Sequence, residues 1–147
     1  MTSETQANLS LREALRRYVE ARHQALLAAR RTLGINELDA RALLFIADNP
    51  GVRPGRLREY LGITSAGVTT LIDRLVQRGA VRRDIDEDDR RVNHISIIVD
   101  LGEEPWSALT RFDREFDGAL DPSDAEDHER FASVLDSLTS HATSAFH

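Results

Sequence analysis

Cysteine is missing from this chain of 147 residues, and so is lysine. Without cysteine there is no disulfide, no thiolate metal ligand and no sensing by thiol oxidation. No apolar run approaches the roughly 20 residues that span a bilayer. The first residues, MTSETQANLS, have no basic stretch leading into an apolar one, so neither a membrane anchor nor a secretory signal is expected. No glycine-rich phosphate loop, Ser-His-Asp set or paired-carboxylate arrangement stands out, and an enzyme is not expected. The five histidines, His23, His94, His128, His141 and His147, lack metal-ligand spacing, so neither a metal nor a cofactor is expected. A cytoplasmic protein fits these absences.

What is present is the make-up of one soluble domain with a real core, 41% hydrophobic and 30% charged. The net charge of −6 argues at first sight against a polyanionic partner, but its distribution matters more. Residues 1–50, 51–91 and 92–147 carry local charges of +1, +2 and −9. Acid gathers in the last third and leaves the middle mildly basic, which favours specific over indiscriminate binding of nucleic acid. All nineteen basic residues are arginine. A GC-rich coding bias explains that more simply than selection for bidentate phosphate contacts.

Along the chain, Leu11, Leu15, Tyr18, Arg22, Leu26 and Leu33 recur at helical spacing, which predicts an amphipathic helix over 9–33 that Gly34 ends. Asn36 caps a helix over 37–48, stopped by Asn49-Pro50-Gly51. Pro54 opens a third helix, 54–61, where its missing N–H costs nothing. Thr64 caps a fourth, which runs to Gln77 or Arg78 before Gly79. Two β-branched runs, 81–85 and 92–98, flank the acidic tip DEDD and predict an antiparallel hairpin. Trp106, Leu109, Phe112, Phe116 and Leu120 form one stripe, predicting a helix over 102–120. A last helix, 123–144, lines up Phe131, Val134, Leu135, Leu138 and Ala142. These aromatics suit a core or a subunit interface better than a cofactor box.

The most informative stretch is 54–74, PGRLREYLGITSAGVTTLIDR. Leu57 and Leu61 lie one turn apart, Gly62 makes the corner, Ile63 plugs it, and Val68 and Leu71 share a face of the second helix. Outward remain Ser65, Ala66, Gly67, Thr69, Thr70 and Arg74, which are small, hydrogen-bonding and end in a cation. Such a ridge suits a DNA major groove, where bulk would hold the backbone away from base edges. The helix N-terminus near Thr64 and Ser65 favours a phosphate. Gly67, in the first turn, costs up to about 1 kcal/mol relative to alanine, and close approach to DNA would explain its presence. An ordinary exposed helix is the plainer reading. Arg74 is expected to reach a phosphate or a guanine, with a pair to Asp73 as the weaker alternative. Arg53, Arg56 and Arg58 are candidate phosphate contacts, although a solvated helix face accounts for them almost as well.

With these features in place, the chain resembles the MarR family of winged helix-turn-helix regulators. The resemblance rests on SAGVTTLIDRLVQRGAVRRDIDEDDRR, residues 65–91: a helix ending in Asp-Arg-Leu, an arginine-flanked strand start and an Asp-Arg-Arg hairpin tip. Element order and length follow the family over about 9–144. One departure is that Ile98 and Val99 stand where the family has Leu-Thr before a glycine-led helix, which leaves Asp100 as the nearest cap.

The resemblance implies a mainly α fold with a small β-hairpin wing. Residues 1–8 would be a polar tail, 35–100 the winged helix-turn-helix, and 9–34 with 101–147 dimerisation helices. It implies that Arg91 enters the minor groove, braced by Asp89, while Arg90 meets backbone phosphate. A solvated, self-compensating turn is the plainer reading of the same tip. The expected partners are double-stranded DNA and a second copy of the chain, on a pseudopalindromic operator. A small aromatic or phenolic ligand in the crevice between DNA-reading and dimerisation parts is what the family adds. The expected role is a repressor. The alternative is a winged-helix module whose acidic C-terminal helices bind a protein, with little or no specific DNA binding.

Overall fold

A computed structural model describes residues 9–90 and 93–147. Short-range chemistry sets the ends of the first four helices. Ser10 and Glu13 form a reciprocal capping box at the start of α1, Leu11–Leu33. Gly34 closes that helix with φ 65, a left-handed conformation that side chains disfavour. The Asn36 side chain accepts from the Asp39 N–H at 2.8 Å and opens α2, Glu37–Asp48. Pro54 occupies the first turn of α3, Pro54–Leu61, and Gly62 ends it. Thr64 Oγ1 accepts from the Gly67 N–H at 3.0 Å and opens α4, Ser65–Gln77.

Strands β1, Val81–Ile85, and β2, Asn93–Ile97, then form a two-stranded antiparallel hairpin with Val81 opposite Ile97 and Ile85 opposite Asn93. Val92, expected in the second strand, lies outside the described residues. β2 also meets the α2–α3 connection, where the Ile95 N–H donates to the Val52 carbonyl at 2.8 Å. The architecture is mainly helical with a β-hairpin, the winged helix-turn-helix arrangement expected from the sequence.

The helix expected over 102–120 is not continuous. A turn occupies 101–105, a 3₁₀ segment covers Trp106–Leu109, and α5 spans only Arg111–Gly118. Gly102 lowers helix propensity and Pro105 disfavours helical geometry at the residue before it. The Asp100 carboxylate accepts from the Gly102 N–H at 2.7 Å and so holds a turn rather than capping a helix. Thr110 donates to the Leu101 carbonyl at 2.8 Å and ties that turn to the start of α5. After a further 3₁₀ turn, Pro122–Asp124, comes α6, Ala125–Ser144.

The chain divides into two compact units, one ending at Phe112 and one starting at Asp113. The first holds the hydrophobic core, in which Leu43, Ile46, Leu57, Leu71, Ile72, Leu75, Val81, Ile95 and Leu109 are fully enclosed. Tyr18 of α1 packs on Phe112 with ring centroids 5.6 Å apart. In the second unit α6 has no buried residue.

Candidate nucleic-acid interface

Helix α4 shows why its sequence alternates between large apolar and small polar residues. Val68, Leu71, Ile72 and Leu75 are buried and anchor one side. Ser65, Ala66, Thr69 and Thr70 are exposed on the other. The Thr69 and Thr70 hydroxyls donate to the Ser65 and Ala66 carbonyls, each at 3.0 Å. That spends their donor but leaves lone pairs free to accept. Arg58 of α3 reaches the Ser65 hydroxyl at 3.5 Å, a long contact that brings one of the three α3-region arginines to the ridge. Arg56 pairs with Glu59 at 3.5 Å on the exposed surface, and Arg53 is exposed at the start of α3.

Gly67 is partly covered rather than part of the open ridge. A Cβ there would lie 3.1 Å from Thr64 Oγ1 and 3.7 Å from Ile63. The cap hydroxyl and the corner isoleucine therefore give Gly67 a reason within the fold.

Arg74 has a definite position. Its Nε and Nη2 donate to both carboxylate oxygens of Asp39 on α2, at 2.9 and 2.6 Å. Asp39 is 3% exposed, so the guanidinium is what compensates a buried charge. The carboxylate raises the arginine pKa further, chiefly through these hydrogen bonds. The alternative pair, Arg74 with Asp73, does not form; Asp73 is bonded to Arg83 of β1 instead. Sequence reading missed both pairs. It also missed Arg78, whose guanidinium donates to the carbonyls of Leu33 and Gly34 at the end of α1, where a cation suits the helix dipole.

At the hairpin tip Asp89 and Arg90 are exposed, and Arg91 lies outside the described residues. Asp86 organises the turn. Its Oδ1 accepts from the Asp88 N–H at 2.9 Å, the main reason its carboxyl stays below the usual carboxylate range. Its other oxygen lies 3.6 Å from His94 Nε2.

Within the first unit a cavity of about 520 Å³ opens between α1, α2 and α3. Arg22, Arg30, Arg41, Leu26, Phe45 and Tyr60 contribute to its wall. Phe45 and Tyr60 stack at 4.0 Å, with Arg41 5.5 Å from the Tyr60 ring centroid. Arg30 Nε is buried there without a hydrogen-bond partner. Among the described residues no helix is long and apolar enough to cross a membrane.

Residues 33–92 match the model of the MarR family. The fold is similar to the crystal structure of the Staphylococcus aureus MepR–DNA complex, with 17% identity, 90% of this chain and 98% of that chain covered, and TM-score 0.55. It is similar to MepR described as a transcription regulator of the Staphylococcus aureus multidrug efflux pump MepA, at 18% identity, 88% and 99% coverage and TM-score 0.58. It is also similar to the transcriptional regulator Tm0710 of Thermotoga maritima, at 24% identity, 88% and 95% coverage and TM-score 0.56. No curated protein matches the chain in sequence.

Proposed function

We propose, from the premise that residues 33–92 are a MarR-family winged helix-turn-helix, that this chain is a dimeric, sequence-specific DNA-binding transcriptional regulator acting in the cytoplasm as a repressor. The observation that carries the reading is α4: one face locked into the core, the other a ridge of Ser65, Ala66, Thr69 and Thr70 open to a groove. Thr64 and Ser65 would meet phosphate, with Arg53, Arg56 and Arg58 alongside. The wing would lay Arg90 and Arg91, braced by Asp89, along the minor groove. Arg74 acts in this scheme by fixing α4 to α2 through Asp39, not by reading bases. In a two-fold dimer the two α4 helices enter successive major grooves about 34–36 Å apart, on a pseudopalindromic operator. MepR crystallised with DNA is a relative in fold whose partner supports the same reading.

The cavity, where Arg22, Arg30 and Arg41 stand with Glu37 and Asp48 beside the Phe45–Tyr60 stack, suits a small aromatic ligand. Such a ligand would change DNA affinity only by binding one arrangement of the protein better than another.

Titration of duplexes from the DNA flanking its own coding region tests the reading. Specific binding should weaken steeply with salt, with a logarithmic slope of about −0.9 per phosphate contacted. Arg91→Ala and Arg90→Ala should lower affinity. Thr70→Ala should shift base preference by about 1 kcal/mol or more. A flat salt response with no sequence preference would favour the protein-interaction module, and unchanged isotherms for all three variants would remove the site.

A further inference from the structure

His94 stands on β2 with each ring nitrogen facing an acceptor. Nδ1 is 3.0 Å from the Gly51 carbonyl oxygen, and Nε2 is 3.6 Å from the Asp86 carboxylate. A carbonyl and an ionised carboxylate only accept, and a neutral imidazole has one N–H to give. With that proton on Nδ1, satisfying Gly51, the lone pair of Nε2 points at a negative charge. Only the imidazolium donates in both directions.

We propose that His94 is the positioning residue of the wing, a proton-dependent clamp that ties the hairpin tip to the α2–α3 connection. The anchor is firm, because Val52, next to Gly51, is buried and hydrogen-bonded to β2. The moving end is Asp86, which holds the Asp88 N–H and so shapes the turn that presents Asp89 and Arg90. Asp86 remains ionised across the histidine range, since Asp88 keeps its carboxyl below the ordinary value. Other charged groups on the surrounding elements include Asp84, opposite His94 in the hairpin and paired with Arg82, Arg83 beside them on β1, Glu87, Asp88, Asp89 and Arg90 of the tip, Asp48 at the end of α2, and Arg53 before α3. Histidine is the side chain that changes charge between about pH 5 and 8. The clamped species is the protonated one, so the clamp is present at the acidic end and lost as pH rises. On the DNA-binding reading, on which this consequence rests, acidification both steadies the tip and adds a positive charge beside it. Duplex affinity then rises as pH falls.

The test reads the clamp without DNA first. Backbone ¹⁵N relaxation of residues 86–90 is measured at about pH 5.5 and about pH 8, either side of the histidine range. The tip should be more ordered at the lower pH in the wild type, and indifferent to pH in His94→Gln, which keeps a donor but does not titrate. Asp86→Asn, a change at a half-buried tip residue that keeps an oxygen to accept the Asp88 N–H, should be equally indifferent. A wild-type tip unaffected by pH, or variants that respond as the wild type does, overturns the proposal. The same proteins are then titrated with a duplex from the DNA flanking the coding region at constant ionic strength. Several-fold tighter binding at the lower pH, flattened in both variants, is expected. If the tip responds to pH while no duplex binds at either value, the DNA-binding reading falls and the clamp stands.

Discussion

Asp39 is a short acidic residue in the first turn of α2, where a carboxylate also suits the helix dipole. Nothing near it in the sequence reveals that its partner is Arg74, 35 residues on. That is why the sequence assigns Arg74 to DNA: a cation at the end of an exposed ridge looks free until the tertiary fold brings α2 beside it. Removing one member of a buried pair costs about 3–5 kcal/mol when the other is stranded. Here the Arg74 side chain is 43% exposed and can turn to water, so Asp39→Ala should cost less, about 1–3 kcal/mol. Urea melts of Asp39→Ala and Arg74→Ala, with the double variant, give the coupling between them. A cycle in which the two losses simply add would mean that the pair does not hold α4 in place.

Helix boundaries were legible because caps are local. Asn36, Thr64, Gly34 and Gly62 act within a few residues of themselves, and the helix ends they mark lie where those residues predict; the first helix, expected from residue 9, starts at Leu11 because Ser10 caps it. The stretch after β2 was not legible in the same way. Its apolar stripe runs from Trp106 to Leu120, but Gly102 and Pro105 hold a turn before it and the backbone beneath it is a 3₁₀ segment followed by a short helix, which side-chain periodicity does not report. At α4 the element-scale question is whether Gly67 serves DNA or the cap. Thr64→Ala removes the hydroxyl that accepts the Gly67 N–H and should cost about 1 kcal/mol. Gly67→Ala gains up to about 1 kcal/mol of helix propensity but sets a methyl 3.1 Å from the Thr64 hydroxyl. These effects oppose one another, so its thermal midpoint should move little. If DNA affinity of Gly67→Ala also stays put, the cap explains the glycine. A loss of affinity at unchanged stability would assign it to close approach by DNA.

The second unit poses the whole-molecule question. Phe131, Val134 and Leu138 follow one another along α6 at 49%, 49% and 50% exposure, and Phe146 beyond them at 85%. Fully burying a side chain of this kind contributes roughly 1.5–3 kcal/mol. A face left half wet forfeits a good part of that at every position, which a second copy of the chain would recover. The −9 charge of residues 92–147 keeps that segment away from phosphates, so the stripe faces a protein rather than DNA. Phe131→Glu puts a carboxylate on the stripe without opening a cavity, since α6 has no buried residue to lose. Sedimentation velocity at micromolar concentration should show a dimer for the wild type and a monomer for Phe131→Glu, with far-UV circular dichroism nearly unchanged. The wild type should then prefer a duplex with two half-sites over one with a single half-site, while the variant treats them alike. A wild type that sediments as a monomer and shows no such preference would overturn the dimer and leave the α6 stripe to a different partner.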